Sequence, residues 1–386
     1  MEIRKLYING EWVDSVHDEW IEIENPATHE IIAKVPRGNK EDVDKAVKAA
    51  RAAFETWQYT PLEERVALMK KVVEGLESRR QELIETITKE LGSPYKVSAE
   101  VHTDPFILEA KHYIQTASEF PYEQRRLTSV VRREPVGVVG GLTPWNFPLE
   151  QIEKKVVPAL LAGNCVDLKP SQFTPLTAYI LAEEIDKAGY PAGVFNLVTG
   201  RGGEVGNALA THEDVDMISF TGSTGAGREV ARMALGNIKK IALELGGKSA
   251  AILLDGGDWE NGIHGVLETV VPNAGQTCNA LTRLLVPKNG LAKAEEIIKK
   301  QLEEYQYGPA EDPAVTQGPL SSKKQFDRVK GYIELGLQEG ARMVSGEVPE
   351  DNGSYYIKTG HLQRCKTGYE DCSGRNFRTG TCCHSV

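Results

Sequence analysis

The sequence predicts an α/β fold with a doubly wound parallel sheet and a second, incomplete α/β domain. Between residues 136 and 245, short apolar runs alternate with helical patterns, and the links between them are short. This order is typical of a parallel sheet covered by helices, because parallel strands need a crossover that a helix supplies. The alternation restarts after Leu245. A chain of 386 residues has room for two or three domains.

Ahead of residue 136 the patterns are mixed. They predict, in chain order, short strands around Asn25-Pro26 within residues 21–35, a helix from Asn39 through Phe54, a helix from Pro61 to about Leu91, and a hairpin within residues 122–134. Thr60-Pro61-Leu62-Glu63 matches a capping box with proline at the first helical position.

The alternating region is Rossmann-like. It predicts strands at 136–142, 165–169, 194–198, 217–221 and 240–245, with helices at 149–162, 175–188, 204–210 and 226–235. A strand at 250–254, a helix near 259–271 and a strand at 283–286 then follow. Ligands of such sheets bind beyond the carboxyl ends of the strands. The loops after Leu142, Lys169, Val198, Thr221 and Leu245 are therefore the places where we expect a site.

Composition narrows the class of partner. The net charge of −10 argues against nucleic acid or an anionic membrane as a partner. Arg125-Arg126 and Arg132-Arg133 are expected on a solvated strand face. The first residues lack the apolar core of a signal peptide, and no apolar run approaches the roughly 20 residues of a membrane helix. We expect a cytoplasmic protein with free thiols at the isolated Cys165 and Cys278.

Two glycine-rich turns compete as phosphate sites. One runs from Gly222 to Gly227 and the other from Gly200 to Gly206, and each lies between a predicted strand and a predicted helix. Glycines let the backbone approach a phosphate, and a helix N-terminus favours negative charge. Spacing alone does not separate these turns, and either could be a tight turn without a ligand.

Cys278 and Glu244 are candidates for covalent and base chemistry. Cys278 ends a turn rich in Asn, Gly and Gln, although a lone cysteine is more often buried and structural. Its thiol, with an ordinary pKa of about 8.5, needs activation at neutral pH. Glu244 lies between two leucines. If it is buried, its pKa should rise, which suits a general base; the alternative is an edge-strand glutamate facing water.

Asn146 and Lys169 each follow a predicted strand. Asn146 could donate an amide hydrogen to an oxyanion, or its loop could pack around Trp145 and Phe147. Lys169 could meet ribose hydroxyls or a phosphate. Without other evidence, the sequence around Lys169 favours an ordinary surface lysine.

Five segments, in this order and spacing, resemble the aldehyde dehydrogenase superfamily. They are Pro144-Trp145-Asn146, Lys169-Pro170-Ser171, Phe220-Thr221-Gly222-Ser223-Thr224, Glu244-Leu245-Gly246-Gly247-Lys248 and Gly275-Gln276-Thr277-Cys278. The resemblance runs from about Tyr7 through Lys358. It implies an enzyme that oxidises a small aldehyde to a carboxylic acid with NAD or NADP and that forms a homo-oligomer.

The resemblance also implies roles for single residues. Cys278 resembles the nucleophile that forms a thiohemiacetal and then a thioester, Asn146 the oxyanion donor, Glu244 the base for the hydrolytic water, and Lys155 a lysine near that proton path. Lys169 resembles the contact to the adenosine ribose and Ser223 the contact to the pyrophosphate. The remaining residues implied at the cofactor are Thr143, Trp145, Ser171, Gln172, Gly222 and Gly246.

Two positions depart from the family pattern. Gln172 stands where the family often has a glutamate that helps to favour NAD over NADP. Asp167 replaces an expected apolar residue in a predicted buried strand, where a carboxylate is costly unless it is paired.

The resemblance divides the chain into functional regions. We expect a dinucleotide-binding domain of residues 1–116 and 136–245, an oligomerisation hairpin of 117–135, an incomplete catalytic domain of 246–358 and an aberrant tail of 359–386. The tail lacks regular periodicity, and its residues Cys365, Cys372, Cys382, Cys383 and His384 fit no standard zinc spacing, so we expect no metal site.

We hypothesise that the tail is the product of a shifted reading frame. Codons can be chosen so that the other frame contains E-E-I-F-G-P, which resembles the stretch that the family carries at this point. The glutamate and phenylalanine of that stretch contact the nicotinamide part of the cofactor. Without them, two alternatives stay open: a non-catalytic remnant that at most binds the dinucleotide, and a cofactor-independent thiol esterase.

Overall fold

The computed structural model describes residues 2–363 and 381–385, and the chain forms two compact units. The first unit comprises Met1–Glu24, Ile31–Glu90 and Ala99–Glu244, and the second comprises Asn25–Glu30, Leu91–Ser98 and Leu245–Val386. Among the described residues, no helix is both long and apolar enough to cross a membrane. The assignment of dinucleotide binding to one region and catalysis to another stays a prediction.

The elements before residue 135 are mostly short strands and long helices. In order they are β1 (Glu2–Ile3), β2 (Leu6–Ile8), β3 (Glu11–Val13), β4 (Trp20–Glu24), β5 (Ile31–Pro36), α1 (Lys40–Trp57), α2 (Leu62–Ser78), α3 (Arg80–Leu91), α4 (Tyr95–Glu100), α5 (Asp104–Glu119), β6 (Glu123–Arg125) and β7 (Val130–Arg132).

The next elements alternate between strand and helix, as predicted. They are β8 (Val138–Leu142), α6 (Pro148–Leu161), β9 (Cys165–Lys169), α7 (Leu176–Ala188), β10 (Phe195–Leu197), α8 (Asn207–Thr211), β11 (Met217–Gly222), α9 (Thr224–Ala234) and β12 (Lys240–Leu245). After these come β13 (Ala250–Ile252), α10 (Trp259–Val270), β14 (Arg283–Val286), α11 (Leu291–Leu302), α12 (Lys323–Gln338), β15 (Arg342–Ser345), β16 (His361–Gln363) and β17 (Thr381–Ser385).

A seven-stranded sheet forms the centre of the first unit. Its order is β12-β11-β8-β9-β10-β2-β3; strands β11, β8, β9 and β10 are parallel, and β2 and β3 add an antiparallel edge. Every residue of β8 and β9 is buried. The α/β fold with a parallel sheet is thus confirmed. Because β8 lies between β9 and β11, the strand order reverses there, and ligands of doubly wound sheets bind at such a switch point.

The start of α1 agrees with the sequence, and the start of α2 does not. Asn39 caps α1 and forms a reciprocal capping box with Asp42. The predicted capping box at Thr60 is wrong: Pro61 itself is the N-cap of α2, and no side chain caps that end. Thr60 therefore lies one residue outside the capping position. The predicted single helix to Leu91 is interrupted at Arg79, where α2 ends and α3 follows at the next residue.

The hairpin predicted within residues 122–134 is confirmed. Strands β6 and β7 pair only with each other, in antiparallel register. Its arginine pairs at 125–126 and 132–133 are exposed, as expected, and so are Leu127, Val130 and Val131.

The second unit contains a five-stranded sheet in the order β13-β14-β17-β16-β15. Trp259, Ile263 and Leu267 of α10 pack with Leu284 of β14 and Ile298 of α11 in its core. Two short strands of this sheet, β16 and β17, lie within the predicted aberrant tail of residues 359–386 and pair in parallel. Cys365 and Cys372 lie outside the described residues, and no group of three or more potential metal ligands occurs among those that are described.

Candidate active site

The loop after β8 holds Asn146 in a fixed position. Asn146 is buried, and Pro148 begins α6 two residues later. The hydroxyl of Thr174 donates to the carbonyl oxygen of Trp145 at 3.0 Å, and the backbone N–H of Thr143 donates to the carbonyl oxygen of Lys169 at 3.2 Å. These bonds tie the loop to the neighbouring loop after β9. The amide of Asn146 is therefore presented by rigid backbone at the switch point of the sheet.

Lys155 links α6 to the end of β11. It is buried, and its Nζ donates to Thr221 Oγ1 at 2.8 Å and to Ser219 Oγ at 3.2 Å. Burial lowers the pKa of Lys155 to about 8, and the negative charge of Glu244 opposes this effect. The predicted catalytic residues Lys155 and Glu244 thus interact electrostatically within the first unit.

Glu244 is exposed on β12, which is the edge strand of the seven-stranded sheet. Of the two alternatives left open for Glu244, the edge-strand glutamate facing water describes its position, because only one side of β12 has a neighbouring strand among the described residues. A base that activates water needs access to water, so exposure is compatible with the predicted role.

Lys169 is buried at the carboxyl end of β9, so the prediction of an ordinary surface lysine is wrong. The position of β9 between β8 and β10 explains its burial. Its Nζ donates to the carbonyl oxygen of Pro170 at 2.7 Å, and burial lowers its pKa to about 8. Of the two residues that follow in the motif, Ser171 is buried and accepts from the N–H of Phe173 at 3.2 Å, whereas Gln172 is partly exposed.

The glycine-rich turn after β11 opens a regular helix. Ser223 is the N-cap of α9, and its Oγ accepts from the N–H of Ala226 at 3.2 Å. A Cβ added to Gly225 would meet no atom within 4 Å. The rival turn leads instead into a π-helix at Gly202–Gly206 and the five-residue α8. The longer helix offers the more regular array of N–H groups to an anion.

Cys278 lies in the second unit, in a turn that side chains hold in place. Asn273 Nδ2 donates to the carbonyl oxygen of Gln276 at 3.3 Å, and Gln276 Nε2 donates to that of Asn273 at 3.1 Å. Gln276 Oε1 also accepts from the N–H of Ser321 at 3.0 Å. The polar composition of this turn is visible in the sequence, but the structural roles of Asn273 and Gln276 are not.

The backbone before Cys278 is strained, and its thiol is partly exposed. Ala274 and Gly275 have φ angles of 51° and 73°. For alanine this left-handed conformation is unfavourable, and such strain often occurs at functional sites. The carbonyl oxygen of Cys278 accepts from the N–H of Gly247 at 3.3 Å, which places the Gly246-Gly247 turn beside it. Cys165 is also a free cysteine but is fully buried.

The buried carboxyl group of Asp167 has a hydrogen-bond partner in Asn196. Its Oδ1 accepts from Asn196 Nδ2 at 2.8 Å, while its buried Oδ2 has no hydrogen-bond partner in the part of the chain that the structure describes. Burial raises the pKa of Asp167 to about 7, and the bond from Asn196 acts in the opposite direction. The carboxyl group is therefore half-satisfied in the middle of the sheet.

Comparison with known proteins gives a consistent result. The sequence model of the Aldehyde dehydrogenase family matches residues 12–368. A putative aldehyde dehydrogenase of Staphylococcus haemolyticus is 42% identical over 358 residues, and one of Staphylococcus aureus is 44% identical over 363 residues. Each alignment covers 93% of this chain and 75% of the relative.

Solved structures are similar over nearly the whole chain. A cysteine-to-alanine mutant of aldehyde dehydrogenase C from Pseudomonas syringae, in complex with NAD⁺ and octanal, has 36% identity and a TM-score of 0.95, with coverage of 99% of this chain and 80% of that one. Lactaldehyde dehydrogenase from Escherichia coli has 32% identity and a TM-score of 0.96, with coverage of 100% and 82%.

Proposed function

Because the chain belongs to the aldehyde dehydrogenase family, we propose that it oxidises an aldehyde to a carboxylic acid with a nicotinamide dinucleotide and a covalent intermediate on Cys278. The observation that carries this proposal is the partly exposed thiol of Cys278 in a strained, hydrogen-bonded turn. A fixed thiol is suited to attack because it loses little conformational freedom on reaching the carbonyl carbon.

The first unit has features that fit a bound dinucleotide. Lys169 carries a buried ammonium group that forms, among the described residues, one hydrogen bond with its three N–H groups. At Gly225, the space that a side chain would occupy is open, so internal packing does not explain the glycine. The N-terminus of α9 favours a pyrophosphate by its dipole and its N–H groups. The solved relative from Pseudomonas syringae contains NAD⁺, which supports NAD as the cofactor.

The reaction follows from the chemistry of the named side chains. The thiol of Cys278 loses its proton to solvent, and the thiolate forms a C–S bond with the carbonyl carbon of the aldehyde as the electrons of the C=O π bond move to the oxygen. The amide of Asn146 donates a hydrogen bond to the oxyanion that results, which stabilises the thiohemiacetal. A bound nicotinamide would supply the hydride acceptor for this carbon, and Cys278 would then carry the acyl group as a thioester.

Hydrolysis of the thioester restores the enzyme. Glu244 takes a proton from water, the water oxygen attacks the thioester carbon, and the C–S bond breaks to release the acid and the thiolate. The exposed position of Glu244 on β12 gives water access to its carboxylate. Lys155 holds the end of β11 through its bonds to Thr221 and Ser219, and the negative charge of Glu244 acts on Lys155.

One experiment tests this proposal against its alternatives. Formation of NADH from NAD and octanal is followed for the wild type, Cys278→Ala and the control Cys165→Ala, and hydrolysis of a simple ester is followed on the same samples. We expect turnover in the wild type and in Cys165→Ala, and none in Cys278→Ala.

The other outcomes separate the alternatives. Turnover that survives in Cys278→Ala contradicts the covalent mechanism. Ester hydrolysis without NADH formation identifies a cofactor-independent thiol esterase. A folded wild type without either activity is a remnant that at most binds the dinucleotide.

A further inference from the structure

Four steps in the sequence join an asparagine to a glycine: Asn9-Gly10, Asn261-Gly262, Asn289-Gly290 and Asn352-Gly353. In such a step the backbone nitrogen of the glycine can attack the side-chain carbonyl carbon, Cγ, of the asparagine and close a five-membered ring. Glycine favours this attack because it has no Cβ to shield its nitrogen and because its backbone is less restricted. The reaction is intramolecular, so its rate depends on how closely and how freely the nitrogen can approach Cγ.

Helical turns hold two of these four steps. At the start of α10 the N–H of Gly262 donates to the carbonyl oxygen of Asp258 at 3.0 Å, and the N–H of Gly290 donates to that of Pro287 at 2.8 Å. Asn261 Nδ2 also donates to Asp258 Oδ2 at 2.7 Å. Attack by either glycine nitrogen would break a backbone hydrogen bond and distort the turn, so we expect both steps to react slowly.

A tight hairpin holds the third step, Asn9-Gly10. These two residues connect β2 to β3, and Ile8 pairs with Glu11 across the turn. Both residues of the turn have positive φ angles, of 55° and 78°. The N–H of Asn9 donates to Asn196 Oδ1 at 2.8 Å. Ring closure would rotate the backbone of a turn that is fixed at both strand ends, so this step should also be slow.

The fourth step, Asn352-Gly353, lies outside any helix or strand. Asp351, Asn352 and Gly353 are all exposed. The φ angle of Gly353 is 85°, and a Cβ added to it would meet no described atom within 4 Å, so packing does not restrain its backbone. The N–H of Ser354 donates to Asn352 Oδ1 at 3.0 Å. This bond folds the amide of Asn352 over the peptide bond of Gly353 and polarises its carbonyl group for attack.

Charge around this turn favours the same reaction. Lys323, the first residue of α12, donates from Nζ to Asp351 Oδ2 at 3.1 Å. The hydrogen bond from Lys323 lowers the pKa of Asp351, and the N–H of Gly353 acts in the same direction. The N–H of Gly353 is therefore held by an exposed side chain, which water can replace, and not by a helix or sheet. A cation beside the turn also stabilises the negative charge that develops on the reacting nitrogen, an effect that salt weakens at an exposed position.

We propose that Asn352 is a self-modification site at which the chain deamidates without an added enzyme. Hydroxide removes the proton from the Gly353 nitrogen. This nitrogen forms a bond with Asn352 Cγ, and the electrons of the C=O π bond move to Oδ1, which the N–H of Ser354 stabilises. The Cγ–Nδ2 bond then breaks, and Nδ2 takes a proton from water and leaves as ammonia. Water opens the resulting succinimide at either carbonyl carbon and leaves aspartate or isoaspartate, with an additional negative charge beside Asp351.

Peptide mapping of the folded chain measures all four steps in one sample. Trypsin releases residues 343–358 as a peptide whose only asparagine is Asn352. Deamidation raises the mass of this peptide by the difference between water and ammonia. After incubation at pH 7 and at pH 9, we expect Asn352 to be converted about tenfold faster than the other three asparagines, and faster at pH 9 because hydroxide starts the reaction. In urea, where the turns and helices are lost, the four rates should approach one another.

Two matched variants assign the product to this position. Asn352→Gln, whose ring would have six members, should lose the acidic form that ion-exchange chromatography resolves, and Asn289→Gln should retain it. Thermal unfolding checks that both variants are folded. The inference is overturned if Asn352 in the folded chain reacts no faster than the other three asparagines, or if it reacts more slowly in the folded chain than in urea. An acidic form that accumulates in Asn352→Gln at the wild-type rate overturns it as well.

Discussion

Asp167 makes the stability of the first unit depend on pH. Its side chain lies in the central strand β9 with no exposed surface, and only one of its oxygens accepts a hydrogen bond. The pKa of Asp167 rises from 3.8 to about 7 because burial disfavours the charged form. We therefore expect Asp167→Asn, which removes the ionisation but keeps the shape, to change how stability varies with pH.

The magnitude follows from linkage between protonation and folding. A shift of about 3 pKa units, at about 1.4 kcal/mol for each unit, corresponds to about 4 kcal/mol. The unfolded chain releases this proton near pH 4, whereas the folded unit retains it to about pH 7. The stability that the protonated group contributes is complete below pH 4, falls as the pH rises to about 7, and is then lost. Between pH 5 and 8 the wild type should lose about 2–3 kcal/mol from this group.

Urea unfolding at pH 5, 6, 7 and 8 measures the effect. Tryptophan emission reports mainly on the first unit, because Trp12, Trp20, Trp57 and Trp145 lie there and only Trp259 lies in the second. The free energy of unfolding of Asp167→Asn should fall less steeply with pH than that of the wild type. The control Asp14→Asn alters an exposed carboxylate and should retain the wild-type slope. Equal slopes for the wild type and Asp167→Asn would refute the reasoning.

Three further predictions concern single side chains. Glu90→Ala should lower the free energy of unfolding by about 1–3 kcal/mol, measured by urea unfolding, because Glu90 caps α7 by accepting from the N–H groups of Leu176 and Thr177. The control Glu85→Ala, on the same helix but outside this cap, should have little effect. Asn146→Ala should lower kcat by about 10²–10³ with unchanged thermal stability, as loss of one oxyanion donor does, and unchanged kcat would contradict its role. Gly225→Val should weaken NAD binding at least tenfold, measured by calorimetry. The free energy of unfolding should change by less than about 1 kcal/mol, because the valine side chain would enter open space. Unchanged NAD affinity would exclude this turn as the phosphate site.

The periodic part of the sequence predicted its own structure well. From β8 to β12 the strands are mainly apolar, and helices α6 and α9 begin at Pro148 and after the capping Ser223. These signals are local, so they can be recognised in the sequence without knowing which elements lie next to each other in the fold. The α5 helix gave no such signal, because two of its four buried residues are alanines, which mark an apolar face weakly.

Burial and long-range hydrogen bonds could not be predicted in this way. Whether Lys169 is buried depends on β9 lying between β8 and β10, which is a property of strand order. The exposure of Glu244 depends equally on β12 being an edge strand. The cap that Glu90 provides to α7 joins residues 86 and 87 positions apart in the sequence. For the candidate active site, the sequence indicated the types of the residues, but it did not indicate their burial or their hydrogen-bond partners.

The short β2–β3 hairpin at the start of the chain has a practical consequence. Tyr7 of β2 pairs with Leu197 of β10, and the N–H of Asn9 donates to Asn196 Oδ1 at 2.8 Å. Removing roughly a dozen N-terminal residues from the expressed protein would uncover the edge of β10 that now pairs with β2 at Leu197. Unpaired strands of this kind recruit other chains and lead to precipitation, so purification tags are better joined to an untrimmed N-terminus.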